Sequence, residues 1–239
     1  MISVRDIEFK YGCKSNLKID SVDQGAGKEV AEYKYVKGFC LKVSSLKLAD
    51  GKSLAITGVS GSGKSTFLKL LSGELALHRG SISILGHKLN EMRDNARRNF
   101  RLKNYGMIFQ DSPLLEYLTI KDNILLPANI VGIKKRLDLK ELCANCGIEE
   151  LINRYPSQLS EGEKQRAAIC RALISSPKVV LADEPTSSLD PVRGEEITDL
   201  LIQNCQKYNC TLIMVTHDYS LLDKFDQKVD IGKLGDSDD

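Results

Sequence analysis

No apolar run approaches the roughly 18 to 20 residues that a membrane-spanning helix needs, and Met1–Lys10 lacks the basic-then-apolar layout of a secretory signal. The expectation is a cytoplasmic chain with no transmembrane segment of its own. Neither sign of charge dominates, because 34 lysines and arginines against 32 aspartates and glutamates leave a formal net charge of +2. That balance supplies no global basic field for holding nucleic acid. Tryptophan is missing altogether, so stacking on a flat ligand falls to the other aromatics. Internal repeats and low-complexity tracts are missing too, and Asp236–Asp239 reads as a frayed acidic tail.

Histidine is scarce, with 3 in the chain, whereas cysteine occurs 7 times. An odd set of thiols scattered through a chain of this size does not suit a secreted disulfide scaffold, so the cysteines are expected to be reduced. Cys143-Ala144-Asn145-Cys146 is a single C-x-x-C. A four-ligand zinc site would need a second pair or neighbouring histidines, and His78, His87 and His217 are not spaced to supply them. Two small residues on a helix is the favoured reading of the pair.

The composition that remains is that of a globular chain: 42% hydrophobic and 28% charged residues over a length of 239, enough for one large domain with a real core. Ile2–Phe9 and Phe39–Val43 alternate apolar and polar residues, which predicts strands with one solvated face. Between them 12–38 has no lasting period and reads as an irregular insert. Ser53–Thr57, Ser81–Leu85, Tyr105–Phe109, Val179–Ala182 and Thr211–Val215 are short apolar runs with helical patterns between them. Such alternation predicts an α/β fold whose mainly parallel sheet is covered on both faces. From about Leu114 to Pro156 the pattern is helical without a convincing strand. The expected division is an N-terminal antiparallel β subdomain over 1–52, a core over 53–110 and 157–239, and a helical subdomain over 111–156.

Gly58-Val59-Ser60-Gly61-Ser62-Gly63-Lys64-Ser65 fits G-x-x-x-x-G-K-[ST], after a strand and before the helical run that Thr66 opens. Glycines let successive N–H groups turn inward toward phosphate oxygens, and the helix adds its positive end. Lys64 is expected to reach the β- and γ-phosphates and the Ser65 hydroxyl to ligate Mg2+. The run Val179–Ala182 ends in Asp183 and Glu184, followed by Pro185. In parallel sheets ligands gather at strand carboxyl ends, so Asp183 is placed to hold Mg2+ through water and Glu184 to accept a proton from an attacking water.

Leu159-Ser160-Glu161-Gly162-Glu163-Lys164-Gln165-Arg166 reads first as a capping box, Ser160 with Glu163, opening a helix over Lys164–Ile174. In company with the phosphate loop it resembles the signature motif of ATP-binding cassette ATPases. Gln110 after a strand, Ser188-Leu189-Asp190 after the acidic pair, and Thr216-His217-Asp218 after the last core strand continue the resemblance. The resemblance implies a P-loop NTPase core with an inserted helical subdomain. It implies a head-to-tail homodimer that sandwiches two ATP molecules, one subunit's loop facing the other's signature helix. Ser160 and Gly162 match the positions that contact the partner's phosphate, Asp190 the loop aspartate that crosses the dimer, Gln110 the residue that senses Mg2+ and water, and His217 the switch histidine. Catalysis is thereby assigned to Glu184, His217 and Gln110. Glu161 stands where the family has a glycine and Glu163 where it has glutamine. A carboxylate at Glu161 weakens attraction for phosphate unless it points away. Asp190 with Pro191 also reads as an N-cap and first helical position.

Adenine needs a flat apolar partner, and Tyr11, at the end of the first strand, is the first choice. It lies further before Gly58 than the family leads one to expect, which an insertion within 12–38 explains; Tyr33 and Tyr35 are the alternatives. Finer likeness comes from Phe100–Gln110, Asn123–Pro127 and Leu181–Thr186, which look like the branch of lipoprotein-releasing, macrolide-efflux and antimicrobial-peptide exporter ATPases. That implies a separate membrane permease and a peripheral location on the cytoplasmic face. Apolar residues in Gln110–Ile120 either line a groove for a permease helix or pack inside the insert. The basic stretch Arg93, Arg97, Arg98, Arg101 and Lys103 is a solvated helix face, or else meets lipid or permease. Two other functions remain open: a non-transport regulatory clamp, as in cell division, and a small-molecule P-loop kinase, which would leave the signature stretch unexplained.

Overall fold

The computed structural model describes residues 1–11, 39–111, 113–133 and 136–234; the insert 12–38 with Tyr33 and Tyr35, and the acidic tail, lie outside them. In chain order the elements are β1 (Ile2–Lys10), β2 (Cys40–Leu48), β3 (Ser53–Thr57), α1 (Lys64–Leu71), β4 (Arg79–Ile84), β5 (His87–Lys88), α2 (Asp94–Asn104) and β6 (Tyr105–Ile108). Then follow α3 (Ile120–Val131), α4 (Leu139–Asn145), α5 (Glu161–Leu173), β7 (Val179–Asp183), α6 (Pro191–Lys207), β8 (Thr211–Val215) and β9 (Gln227–Asp230).

Two sheets form. One is antiparallel, in the order β2-β1-β4-β5; the other runs β6-β7-β8-β3-β9 with every described pairing parallel. The parallel strands read as continuous apolar runs because both of their faces are covered, and the side-chain period of two sorts them between two cores. Val179, Leu181, Ile213, Val215, Leu54 and Ile56 face a core shared with α1 and the antiparallel sheet. Val180, Ala182, Leu212, Met214 and Ala55 face the core built by α3, α4, α5 and α6. Cys143 and Cys146, at the end of α4, are buried in that second core beside Cys170 of α5.

One strand changes sides relative to the expectation. The run Ser81–Leu85 does not join the parallel series; β4 pairs antiparallel with β1, Ile2 opposite Ile84 and Val4 opposite Ile82. The reason is visible in its residues, since Ile82 and Ile84 are buried while Ser81 and Ser83 are half-buried, an alternation that suits a one-sided sheet. Strand β9, too polar to stand out in the sequence, closes the other edge of the parallel sheet beside β3.

Asp226 fastens that edge. Its carboxylate accepts from Lys52 Nζ, Ser53 N and Ser53 Oγ, each at 2.8 Å, and these partners, Lys52 first, push its pKa down to about 2 from an ordinary 3.8. A carboxyl depressed in the folded state stabilises at pH above its unfolded value and loses that contribution as pH falls through the folded one. Asp226→Asn is therefore expected to lower stability near neutral pH by about 1 kcal/mol, given partial exposure, or about 3 °C in Tm. Thermal melts should show the difference shrinking between pH 4 and pH 2; an equal gap at both ends contradicts the assignment.

Candidate functional site

Parallel register brings several of the candidate residues to one edge. Ile56 and Asp183 both pair with Val215, so the loop after Thr57, the acidic Glu184 and the Thr216-His217 turn leave the sheet side by side. The loop coils with φ of 146° at Gly58, 78° at Gly61 and 98° at Gly63, and the last two lie in the left-handed region where glycine is at ease. It then enters α1 directly. Lys64 is buried, and its ammonium donates to the carbonyls of Gly58 at 2.9 Å and Val59 at 3.2 Å. Ser62 Oγ is buried without a hydrogen-bond partner among the described residues.

Ser65 Oγ donates to Asp183 Oδ1 at 3.2 Å. Burial pushes the Asp183 carboxyl above its ordinary value and Glu184 adds to this, while Ser65, Lys69 and Lys64 pull the other way. Glu184 itself stands at φ 47°, uncommon for a residue with a side chain. Its N–H donates to Val215 O at 3.0 Å, and its carbonyl accepts from Ser187 N at 3.2 Å and Ser187 Oγ at 3.1 Å. Held off the strand line in this way, its Oε2 lies 3.2 Å from His217 Nδ1.

A cavity of about 300 Å³ gathers Tyr11, Phe39, Glu184 and the loop residues Ser60, Gly61, Gly63, Lys64, Ser65 and Thr66. Phe39, expected from the sequence only as the start of a strand, also lines this cavity. The signal lay in the pairing of β1 with β2, where Lys10 faces Cys40 and Tyr11 N donates to Phe39 O at 3.0 Å.

Other expected residues lie elsewhere within one chain. Ser160 and Gly162 line a separate surface cavity with Arg166 and Arg193. Asp190 shares a third with His217, and Gln110 is exposed and lines neither the loop cavity nor these two. The capping box forms: Ser160 N and Ser160 Oγ both donate to Glu163 Oε2 at 2.7 Å, and Glu163 N donates back to Ser160 Oγ at 3.4 Å. Those bonds hold the Glu163 carboxyl below its ordinary value. Glu161 turns to Lys164, 2.8 Å away, so its charge is partly answered on its own helix. Asp190 caps α6 by accepting from Arg193 N at 3.1 Å, with Pro191 first in the helix.

Of the apolar residues after Gln110, Leu114 is buried in the core of the helical region. Beside it runs an apolar groove of about 350 Å³, lined among others by Leu102, Phe109, Pro113, Leu126 and Ile130. The guanidinium of Arg171 also lines it, donating to Pro113 O at 2.5 Å. On α2, Arg97 pairs with Asp94 and Arg101 donates to Ser72 O at 3.3 Å, whereas Arg93, Arg98 and Lys103 are exposed. No helix among the described residues is long and apolar enough to cross a membrane.

The chain is similar to known proteins. The family described as ABC transporter matches residues 41–187. The lipoprotein-releasing system ATP-binding protein LolD of Treponema denticola is 40% identical over 181 residues, 74% of this chain and 80% of that one. The methionine import ATP-binding protein MetN of Bacillus subtilis is 39% identical over 194 residues, 80% of this chain and 57% of that one. Among solved structures, the dimeric ATP-binding cassette MJ0796 in a post-hydrolysis state with ADP and Pi aligns over 96% of this chain and 94% of that one, with a TM-score of 0.75 and 27% identity. The chain belongs to the ABC transporter family, as one of its ATP-binding, ATP-hydrolysing subunits.

Proposed function

We propose that two copies of this subunit close head to tail over ATP and drive a separate membrane permease of the lipoprotein, macrolide or peptide exporter type. The observation that carries the reading is the edge where the loop, Asp183, Glu184 and His217 converge. Phosphate oxygens meet the loop N–H groups and Lys64. Glu184 takes the proton of an attacking water, and His217, one hydrogen bond away, orients it. The positive N-terminal end of α5 approaches the γ-phosphate of the partner's ATP, with Ser160, Gly162 and Asp190 completing the pocket.

Ser65 Oγ and Asp183 Oδ1, 3.2 Å apart, are hard oxygen donors of the kind that suit Mg2+. These two would hold the ion, with Gln110 the further donor that the family resemblance assigns, and when bound it would supply charge neutralisation to the phosphates. Tyr11, 43% exposed, offers its ring to adenine. Similarity alone does not choose a direction of transport, since LolD is named for release and MetN for import. The exporter reading rests on the segments Phe100–Gln110, Asn123–Pro127 and Leu181–Thr186.

For the permease contact, the apolar groove beside Phe109 fits a short helix. The location that follows is peripheral, at the cytoplasmic face of the membrane. Tagged protein should draw from detergent extracts a multi-span permease with a large extracytoplasmic domain. Ile130→Asp, at a residue 69% exposed, should abolish that capture while nucleotide binding stays as in wild type. Capture of a division or wall-hydrolase complex instead would favour the regulatory clamp.

A further inference from the structure

We propose that Phe39 is a second base-holding residue, which forms with Tyr11 a two-sided aromatic corner for the nucleobase; the inference rests on reading the loop cavity as the nucleotide pocket. Phe39 lies over the backbone of the phosphate loop. A Cβ placed on Gly63 would come within 2.5 Å of Phe39 Cζ and 3.3 Å of Leu41 Cδ1, so this ring is in contact with the last glycine before Lys64. The peptide of Phe39 is tied to that of Tyr11 by the 3.0 Å bond from Tyr11 N, which extends the β1–β2 ladder by one residue. Tyr11 is fixed from behind by Phe9, edge to face at 4.8 Å and 83°.

The geometry of the two rings decides what they can do. Their centroids are 5.9 Å apart and their planes tilted by 43°. They are too close and too oblique to admit a base between them as a sandwich, so they form a corner. One wall can take the face of a base and the other its edge and the ribose, while the triphosphate runs onto the loop. Phe39 is half-buried and Tyr11 more open, which leaves aromatic surface uncovered on the same cavity that holds Lys64 and Glu184. Base–aromatic contacts of this kind change affinity by about tenfold each.

Phe39 also props Gly63, so a loss of binding on substitution has two possible origins that must be separated. Inorganic tripolyphosphate does this, because it engages the loop and has no base. Isothermal titration of the full chain with magnesium-ATP and with magnesium-tripolyphosphate should be compared for wild type, Phe39→Leu and Phe39→Trp. Leucine keeps apolar volume over Gly63 and removes the ring. Expected is an affinity for ATP about tenfold lower in Phe39→Leu, an unchanged affinity for tripolyphosphate, and ATP binding kept in Phe39→Trp. Phe39→Leu binding ATP as wild type does, or losing both ligands equally, overturns the proposal and leaves the nucleotide pocket standing. A wild-type chain that takes up neither ligand overturns the nucleotide pocket itself.

Discussion

Lys64→Ala eliminates measurable ATP binding. The ammonium is buried and satisfied by two loop carbonyls, Gly58 O and Val59 O, so its charge is already desolvated and aimed along the loop before any ligand arrives. A phosphate replaces neutral acceptors with charged ones, and each charge-assisted bond is worth about 1.5–3 kcal/mol. Losing two such bonds weakens binding by more than about a hundredfold. The backbone is spared, because alanine is the best helix former and position 64 opens α1. Calorimetric titration with ATP checks the result, alongside a thermal melt to show that the variant is folded. A folded Lys64→Ala that binds ATP within tenfold of wild type would place the phosphates elsewhere.

Glu184→Gln leaves binding intact and slows hydrolysis by about 10²- to 10⁴-fold, the span attributed to a positioned general base. The amide keeps the size and shape of the side chain, and the φ of 47° is carried by backbone bonds to Val215 and Ser187 that the substitution does not touch. What disappears is the capacity to take a proton. With turnover blocked, ATP should hold two copies together, so light scattering is expected to report an ATP-dependent dimer, while phosphate release falls. Hydrolysis at an undiminished rate would remove Glu184 from the role of base, and leave His217 or a water chain as the acceptor.

Features written within a few residues were legible early. Ser160 and Glu163 are three apart and cap each other on α5; Asp190 and Pro191 start α6; the glycines of 58–63 carry the left-handed turns at Gly61 and Gly63 that the loop needs. Each depends on local geometry, which spacing encodes directly. Less legible were contacts between distant stretches. Ser81–Leu85 had the apolar look of a parallel strand, yet its buried isoleucines alternate with serines and belong against β1. Leu114 turned into the helical core, so the exposed groove is built by its neighbours Phe109 and Pro113 together with α3. The environment of Glu161 depended on where Lys164 reached, which spacing permits but does not dictate.

From its order of residues alone, this chain determined a glycine-rich loop opening a helix, an acidic strand end, a capped helix at Ser160 and the family that unites them, because hydrogen bonds closed over three or four residues need nothing beyond local conformation. Tertiary structure decided which of those parts share a cavity. Ser65 meets Asp183 across 118 positions of chain, Glu184 meets His217 across 33, and Phe39 comes to rest on Gly63. Such meetings follow from strand order and register in a sheet buried on both faces, where one core must satisfy every strand at once, and no short stretch of sequence carries that information.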